Sequence, residues 1–270
     1  MILRPISLAV RADPITSSNK STAIIIATCV LLAIFILLFL SREAIKLVVL
    51  RKFQVDDLLI LIATVFAVAL SVTTLVLASK GLGKLEPLLL ERANTIQKGY
   101  YVSDALYISS ICFAKLSLVA FFHEISINQR ERRIVWVFGL FILLWSTASF
   151  LVSTFQCGLP RPWEVFTLHC INHGYFWIIY CIIDMTTDVA IIMLAVNLVA
   201  YLKVKLSRKI CLVACFAPRI FVIGAALARL IYLYPITPHT HPEYSLWVPV
   251  ICTQVQVCLS ISTVCIPYMK

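Results

Sequence analysis

Charge is what this sequence has least of. Lys, Arg, Asp and Glu make up 13% of its 270 residues, against 61% for the apolar types. A soluble domain carries about 25% charged and about 45–50% apolar residues, so half the usual charge is too little to cover a water-soluble globule of this size. A cytosolic enzyme, a disordered chain and a disulfide-rich secreted domain are excluded. The folding solvent is mostly lipid, in keeping with a mean hydropathy of +0.97. The alternating apolar–polar segments of a membrane barrel are missing too. So is a cleavable leader: Arg4 and Pro5 break the first ten residues, and no small-residue cleavage site follows the first long apolar run. That run is expected to be retained as a span.

What is present is a series of long apolar runs. About 20 such residues form a helix that crosses roughly 30 Å of hydrocarbon. Seven stretches qualify, near residues 22–40, 57–79, 101–122, 134–154, 174–200, 210–234 and 244–267. The predicted fold class is all-α, a seven-transmembrane helix bundle over residues 21–270 behind a short extracellular or lumenal tail, residues 1–20. Cations sort unevenly between the linkers. Arg42, Lys46, Arg51 and Lys52, then Arg130, Arg132 and Arg133, then Lys203, Lys205, Arg208 and Lys209 fall on one side with Lys270. The other side has the three of the tail, Lys80, Lys84, Arg92 and Lys98, and Arg161. Lys and Arg accumulate on the cytoplasmic side, so twelve against eight predicts the N terminus outside and the C terminus inside. The same sorting accounts for the formal charge of +10 without a nucleic-acid partner.

Cysteine usage points the same way. Cys29, Cys112, Cys181, Cys211, Cys215, Cys252, Cys258 and Cys265 lie in apolar runs, where a thiol acts as a small hydrophobe. Cys157 and Cys170 share one linker, the fourth, which is assigned outside. Disulfides form in that compartment, and a bridge between these two is expected to contribute on the order of 3 kcal/mol.

Asp56-Asp57 opens the second span and Gly81-Leu82-Gly83 follows it. Tyr107 and Lys115-Leu116-Ser117 lie in the third span, and Phe155-Gln156-Cys157, Trp163 and Cys170-Ile171 in the linker after the fourth. Thr187-Asp188, Arg229-Leu230 and Cys265-Ile266-Pro267 complete the series. In this order and spacing the residues resemble the fungal rhodopsin-domain integral membrane family, which includes a satratoxin-cluster membrane protein and surface-sensing receptors with an additional CFEM domain. The resemblance runs over roughly residues 20–270 and implies the seven-helix architecture and a receptor-like role. The chain departs from the family pattern at three places. Leu194-Ala195-Val196-Asn197 replaces a Pro-x-Pro element, Gln256 stands where many members carry Glu, and Arg219 follows Pro218 where Gly is usual. Receptor-type members also continue into a long cytosolic tail beyond the position of Pro267, an expectation that weighs against downstream signalling here.

Ionisable residues inside spans are costly and mark functional sites by default. Six occur, three of each sign: Asp104, Lys115, Asp184, Asp188, Arg219 and Arg229. At about 1.5 Å of rise per residue, Asp104 and Arg229 fall near the outer ends of their spans and can meet. Asp184 and Asp188 share one helix face near mid-span. Asp188 is expected to pair with Lys115 or Arg219, and Asp184 to share either cation or reach water. Asp104, Tyr107, Ile108, Ile111 and Lys115 form one stripe at helical spacing, expected to face the interior. Gln254 and Gln256 are placed to join the network or to cross-link helices. These charges either fix helix register as buried ion pairs or line a ligand cavity. His169, His173, His239 and His241 match no standard ligand spacing, so no metal is assigned.

The predicted seventh span has no lysine for a retinal Schiff base, so no cofactor is implied. Asp-Arg-Tyr after the third span and Asn-Pro-x-x-Tyr in the seventh are absent; His123-Glu124-Ile125 and Ile266-Pro267-Tyr268 stand there, and G-protein coupling is unsupported. No internal repeat of the transporter kind occurs. Two readings remain. The first is a ligand-sensing protein of the plasma membrane or endoplasmic reticulum that binds an unknown small molecule within the bundle. The second is a bilayer-embedded biosynthetic enzyme, such as a terpene cyclase, with Asp184 or Asp188 as general acid in an apolar pocket. A cation beside either carboxyl opposes the second.

Overall fold

The computed structural model describes residues 20–50, 54–83, 90–126, 128–155, 173–201, 217–233 and 246–268, and those residues contain helices and no strand. The elements are α1 (Ser21–Ile45), α2 (Val55–Ser79), α3 (Leu90–Ile125), α4 (Gln129–Thr154), α5 (His173–Tyr201), α6 (Pro218–Leu233) and α7 (Trp247–Cys265). A π-helical turn, Lys46–Leu50, extends α1, and a 3-10 turn, Ile266–Tyr268, ends α7. Six of these helices are long and apolar enough to cross a membrane. The described part of α6 has 16 residues, about 24 Å of helix. The predicted seven-helix bundle is therefore the architecture found.

We call the end where α1 begins and α2 turns into α3 the N-terminal end, and the end where α1 meets α2 and α7 stops the C-terminal end. The side chains sort as a bilayer solvent requires. Ile26, Val30 and Leu37 on α1, and Trp136, Val137, Phe141 and Leu144 on α4, are exposed, apolar surface that a water-soluble protein does not show in such quantity. α1 and α4 are the most peripheral helices, and α3 and α7 the most enclosed. The predicted α3 stripe is interior: Asp104, Tyr107, Ile108, Ile111 and Lys115 are all buried.

Two span boundaries differ from expectation. α3 starts at Leu90 rather than near 101, so Arg92 and Lys98, predicted in a linker, lie on helix. The added turns are polar and fall below an apolar threshold, yet they contain good helix formers. α1 likewise continues past residue 40, carrying Arg42 into a buried position. The disulfide expectation falls on Cys157 and Cys170, which lie outside the described residues, as do Cys211, Cys215, His169, His239 and His241.

α2 ends in a Schellman motif. Leu82 donates its N–H to the carbonyl of Leu77 at 3.1 Å and Gly81 donates to Ala78 at 3.2 Å. Gly81 and Gly83 have φ of 111° and 83°, conformations open to glycine and strained for other residues. The Gly83 carbonyl accepts the N–H of Lys20 at 2.9 Å, tying this turn to the start of α1. A Cβ on Gly83 would sit 3.3 Å from the Ile24 side chain and from the backbone of Ser21. Gly83→Ala should therefore destabilise the bundle by about 1–3 kcal/mol, measured as a lower Tm in detergent; an unchanged Tm would contradict the strained, crowded turn.

Candidate functional site

The intramembrane charges form three levels along the bundle. The middle one joins α3, α5, α6 and α7. Asp184 and Asp188, one helical turn apart on α5, face Lys115 of α3. The Lys115 ammonium donates to Asp184 Oδ1 at 2.5 Å, to the Asp184 carbonyl at 2.8 Å and to the Thr187 hydroxyl at 2.7 Å. It also lies 3.0 Å from Asp188 Oδ1. Arg219 approaches that oxygen from α6, with Nη2 at 2.7 Å and Nε at 3.2 Å. Its third nitrogen, Nη1, donates to Thr263 Oγ1 of α7 at 3.2 Å. Asp188 thus takes both of the cations named for it, and Asp184 takes Lys115.

A polar chain leads from this level toward the N-terminal end. Gln256 of α7 donates from Nε2 to Asp184 Oδ2 at 2.8 Å and accepts the Tyr107 hydroxyl at Oε1, also at 2.8 Å. Both Asp184 oxygens are consequently hydrogen-bonded. The Tyr107 ring then supports Arg229, whose guanidinium carbon lies 4.2 Å from its centroid and 4.1 Å from that of Trp177. A cation held over aromatic faces in a dry site is favoured by the ring quadrupoles. Trp177, fully buried on α5, was not singled out in sequence; its i, i+3 spacing to Tyr180 on the face that carries Asp184 is the available signal.

At the N-terminal level Arg229 meets Asp104 more loosely. The Nη2 to Oδ1 distance is 3.6 Å, and Nε and Nη1 of this buried guanidinium have no hydrogen-bond partner. A cavity of about 20 Å³ lies here, with Thr74, Tyr100, Ser103, Asp104, Arg229 and Gln254 among its walls. That volume holds a single water. Gln254 itself joins α7 to α2, accepting from Ser71 at 3.0 Å and donating to Thr74 at 2.9 Å.

The third level, at the C-terminal end, was missed in sequence. Arg42 and Lys46 read as linker cations, but they are buried beside Asp56 and Asp57. Arg42 Nη2 lies 2.5 Å from Asp56 Oδ2 and 3.0 Å from Asp57 Oδ1. Lys46 lies 3.0 Å and 2.5 Å from the same two oxygens. Tyr268 closes the group: its hydroxyl donates to Asp56 Oδ2 at 2.6 Å, and its ring covers Arg42 at 4.5 Å and Lys46 at 4.2 Å. Asp57 doubles as the N3 member of a capping box, accepting the Gln54 N–H at 3.0 Å. The signal available in sequence was two cations and two acids flanking one short connection.

The model of the fungal rhodopsin domain matches residues 41–270. A SAT4 family membrane protein of Emericella nidulans is 27% identical over 165 residues, taking in 58% of this chain and 42% of that protein. The chain thus spans less than half the length of that curated relative.

Removing one partner of a buried pair costs about 3–5 kcal/mol because the other charge is stranded. Lys115→Met strands Asp184 while Asp188 keeps Arg219, and a loss of this size should appear as a large fall in Tm or in folded yield in detergent. Adding Asp184→Asn should recover part of that loss by restoring charge balance. A double variant no more stable than Lys115→Met would contradict the pairing.

Proposed function

Because the chain belongs to the fungal rhodopsin-domain family, we propose that it is a multi-pass membrane protein with a receptor-like role, sensing a small ligand at the N-terminal end of the bundle. The observation that carries this reading is the contrast between the N-terminal and middle levels. Every nitrogen of Lys115 and Arg219 has its partners within the bundle. Arg229 is buried with two nitrogens unmet, a hydrogen bond to Tyr100 and its carboxylate only at 3.6 Å. Buried donors left unpaired are costly, and an anionic group entering there would satisfy them. Such a group would draw on Arg229 and so on the Tyr107 ring beneath it, and Tyr107 hydrogen-bonds through Gln256 to Asp184.

The N-terminal end is read as extracellular or lumenal from the distribution of Lys and Arg, in the plasma membrane or the endoplasmic reticulum. The Cys157–Cys170 bridge is proposed with that orientation. A link to secondary metabolism rests on the family resemblance alone. The cyclase reading requires a carboxyl open to an apolar pocket, whereas Asp184 is hydrogen-bonded at both oxygens and Asp188 Oδ1 is shared by Lys115 and Arg219. These contacts favour sensing over catalysis.

Three measurements test the proposal. Screened by thermal shift in nanodiscs, small organic carboxylates should raise the Tm of the wild type, while their neutral amides and the Arg229→Gln variant should give no shift. Equal shifts for carboxylate and amide would refute an anion site at Arg229. In the producing organism, deletion of the gene should change responses without accumulation of an uncyclised precursor; such accumulation would overturn sensing in favour of the enzyme. Thiol labelling before and after reduction should reveal two additional reactive groups, and none would dismiss the Cys157–Cys170 bridge.

A further inference from the structure

The described residues leave a groove of about 430 Å³ at the C-terminal end, between α4 and the end of α5. Its size falls within the range of small-molecule sites, and it is separate from the three levels of ion pairs. Its floor is apolar, made by Phe122, Ile134, Val135, Leu194 and Leu198, and its rim is polar, with Asn128, Arg130 and Asn197. We propose that this groove binds the headgroup and upper chain of one anionic phospholipid.

Charge and depth carry the assignment. Arg130 lines the rim, and Arg132 and Arg133 lie with it in the first five residues of α4, so three cations gather at this membrane face. Arg132 is engaged, donating from Nε to His123 Nε2 at 2.8 Å, while Arg130 and Arg133 are exposed. The first turn of α4 adds backbone N–H groups without intrahelical acceptors, and its N-cap, Asn128, makes no side-chain capping bond. Helix N-termini favour phosphate. Glu131 is the acidic residue of the wall, and its carboxylate accepts the Ser126 hydroxyl at 3.5 Å. The groove lies where two spans end, at headgroup depth. The groove's apolar floor, with Ile134 at its α4 wall, offers the upper part of an acyl chain an apolar surface. A soluble anion would have no use for the apolar floor; a phospholipid matches both halves. Basic pockets between helices at a membrane face are a known mode of anionic headgroup binding.

The test uses the full chain in phosphatidylcholine nanodiscs doped with phosphatidylserine, and native mass spectrometry of the released protein. Wild-type protein should retain one phosphatidylserine in preference to phosphatidylcholine. Arg130→Gln with Arg133→Gln should lower that retention about fivefold per arginine removed. Leu194→Trp, which fills the floor and keeps every charge, should lower it as well, while Lys20→Gln at the opposite end should not. Equal retention of the two lipids, or retention unchanged in both groove variants, would overturn the proposal. Water-soluble glycerophosphoserine should compete poorly; displacement as effective as by the intact lipid would also overturn it, showing a headgroup-only anion site.

Discussion

An ionised side chain in hydrocarbon must find its counter-charge on a neighbouring helix, and the rest of this bundle is arranged around that requirement. Lys115 is the clearest case. Its ammonium has no water to turn to, so it draws on two carboxylates and a hydroxyl of α5 at once. Each of those contacts fixes the rotation and depth of α5 against α3. Arg219 fixes α6 against α5 in the same manner and reaches α7 through Thr263. Lipid provides no hydrophobic force between helices, so this polar stitching, with close packing, sets their register. Specificity of register is the best-attested use of buried charge.

Neutral amides extend the stitching where charge would be too costly. Gln256 has a donor and an acceptor on one group, which lets it link Tyr107 to Asp184 without adding a charge. A glutamate at that position, as many family members have, could accept but not donate when ionised, and it would place a third acid beside Asp184 and Asp188. With Lys115 and Arg219 the middle level is balanced at two charges of each sign, and Gln keeps it so. Gln254 does the same between α7 and α2, between Ser71 and Thr74.

Much of this could be read from the sequence, for a physical reason. Apolar runs long enough to span lipid, and ionisable residues within them, stand out against a composition of 13% charge. Hence the helices, the depth of Asp104 and Arg229, and the shared face of Asp184 and Asp188 were all accessible. The failures have one cause as well. A hydropathy reading treats a cation as the end of a span, so Arg42 and Lys46 were assigned to a linker when α1 carries them on, buried, to Asp56 and Asp57. It equally dropped the polar first turns of α3, which are helical without being apolar. Pairing in space reverses the meaning of a charge, and spacing along the chain does not record it. Trp177 was passed over because an aromatic in an apolar run has no distinguishing mark until Arg229 is set against its ring.

The levels also differ in how firmly they are held, and that difference bears on which end of the bundle can respond to a ligand. At the C-terminal end two cations, two acids and Tyr268 interlock over a short connection, with the capping box of α2 built into the same acids. The middle level leaves no cation nitrogen of Lys115 or Arg219 without a partner. A ligand shifts an equilibrium only by the difference in its affinity for two states. A level already saturated by internal partners has little to gain from a new one. Arg229 differs from Lys115 and Arg219: its charge is balanced by Asp104 at 3.6 Å, but Nε and Nη1 are unmet. Arg42 shares that shortfall at Nε and Nη1, yet its Nη2 is held at 2.5 Å and 3.0 Å by two carboxylates, whereas two aromatic faces and the Tyr100 hydroxyl support Arg229. An incoming anion would there add contacts instead of exchanging them. The looser pair at the N-terminal end is joined through Tyr107 and Gln256 to the middle level, so the ligand proposed for it would act on a group coupled to the rest of the network.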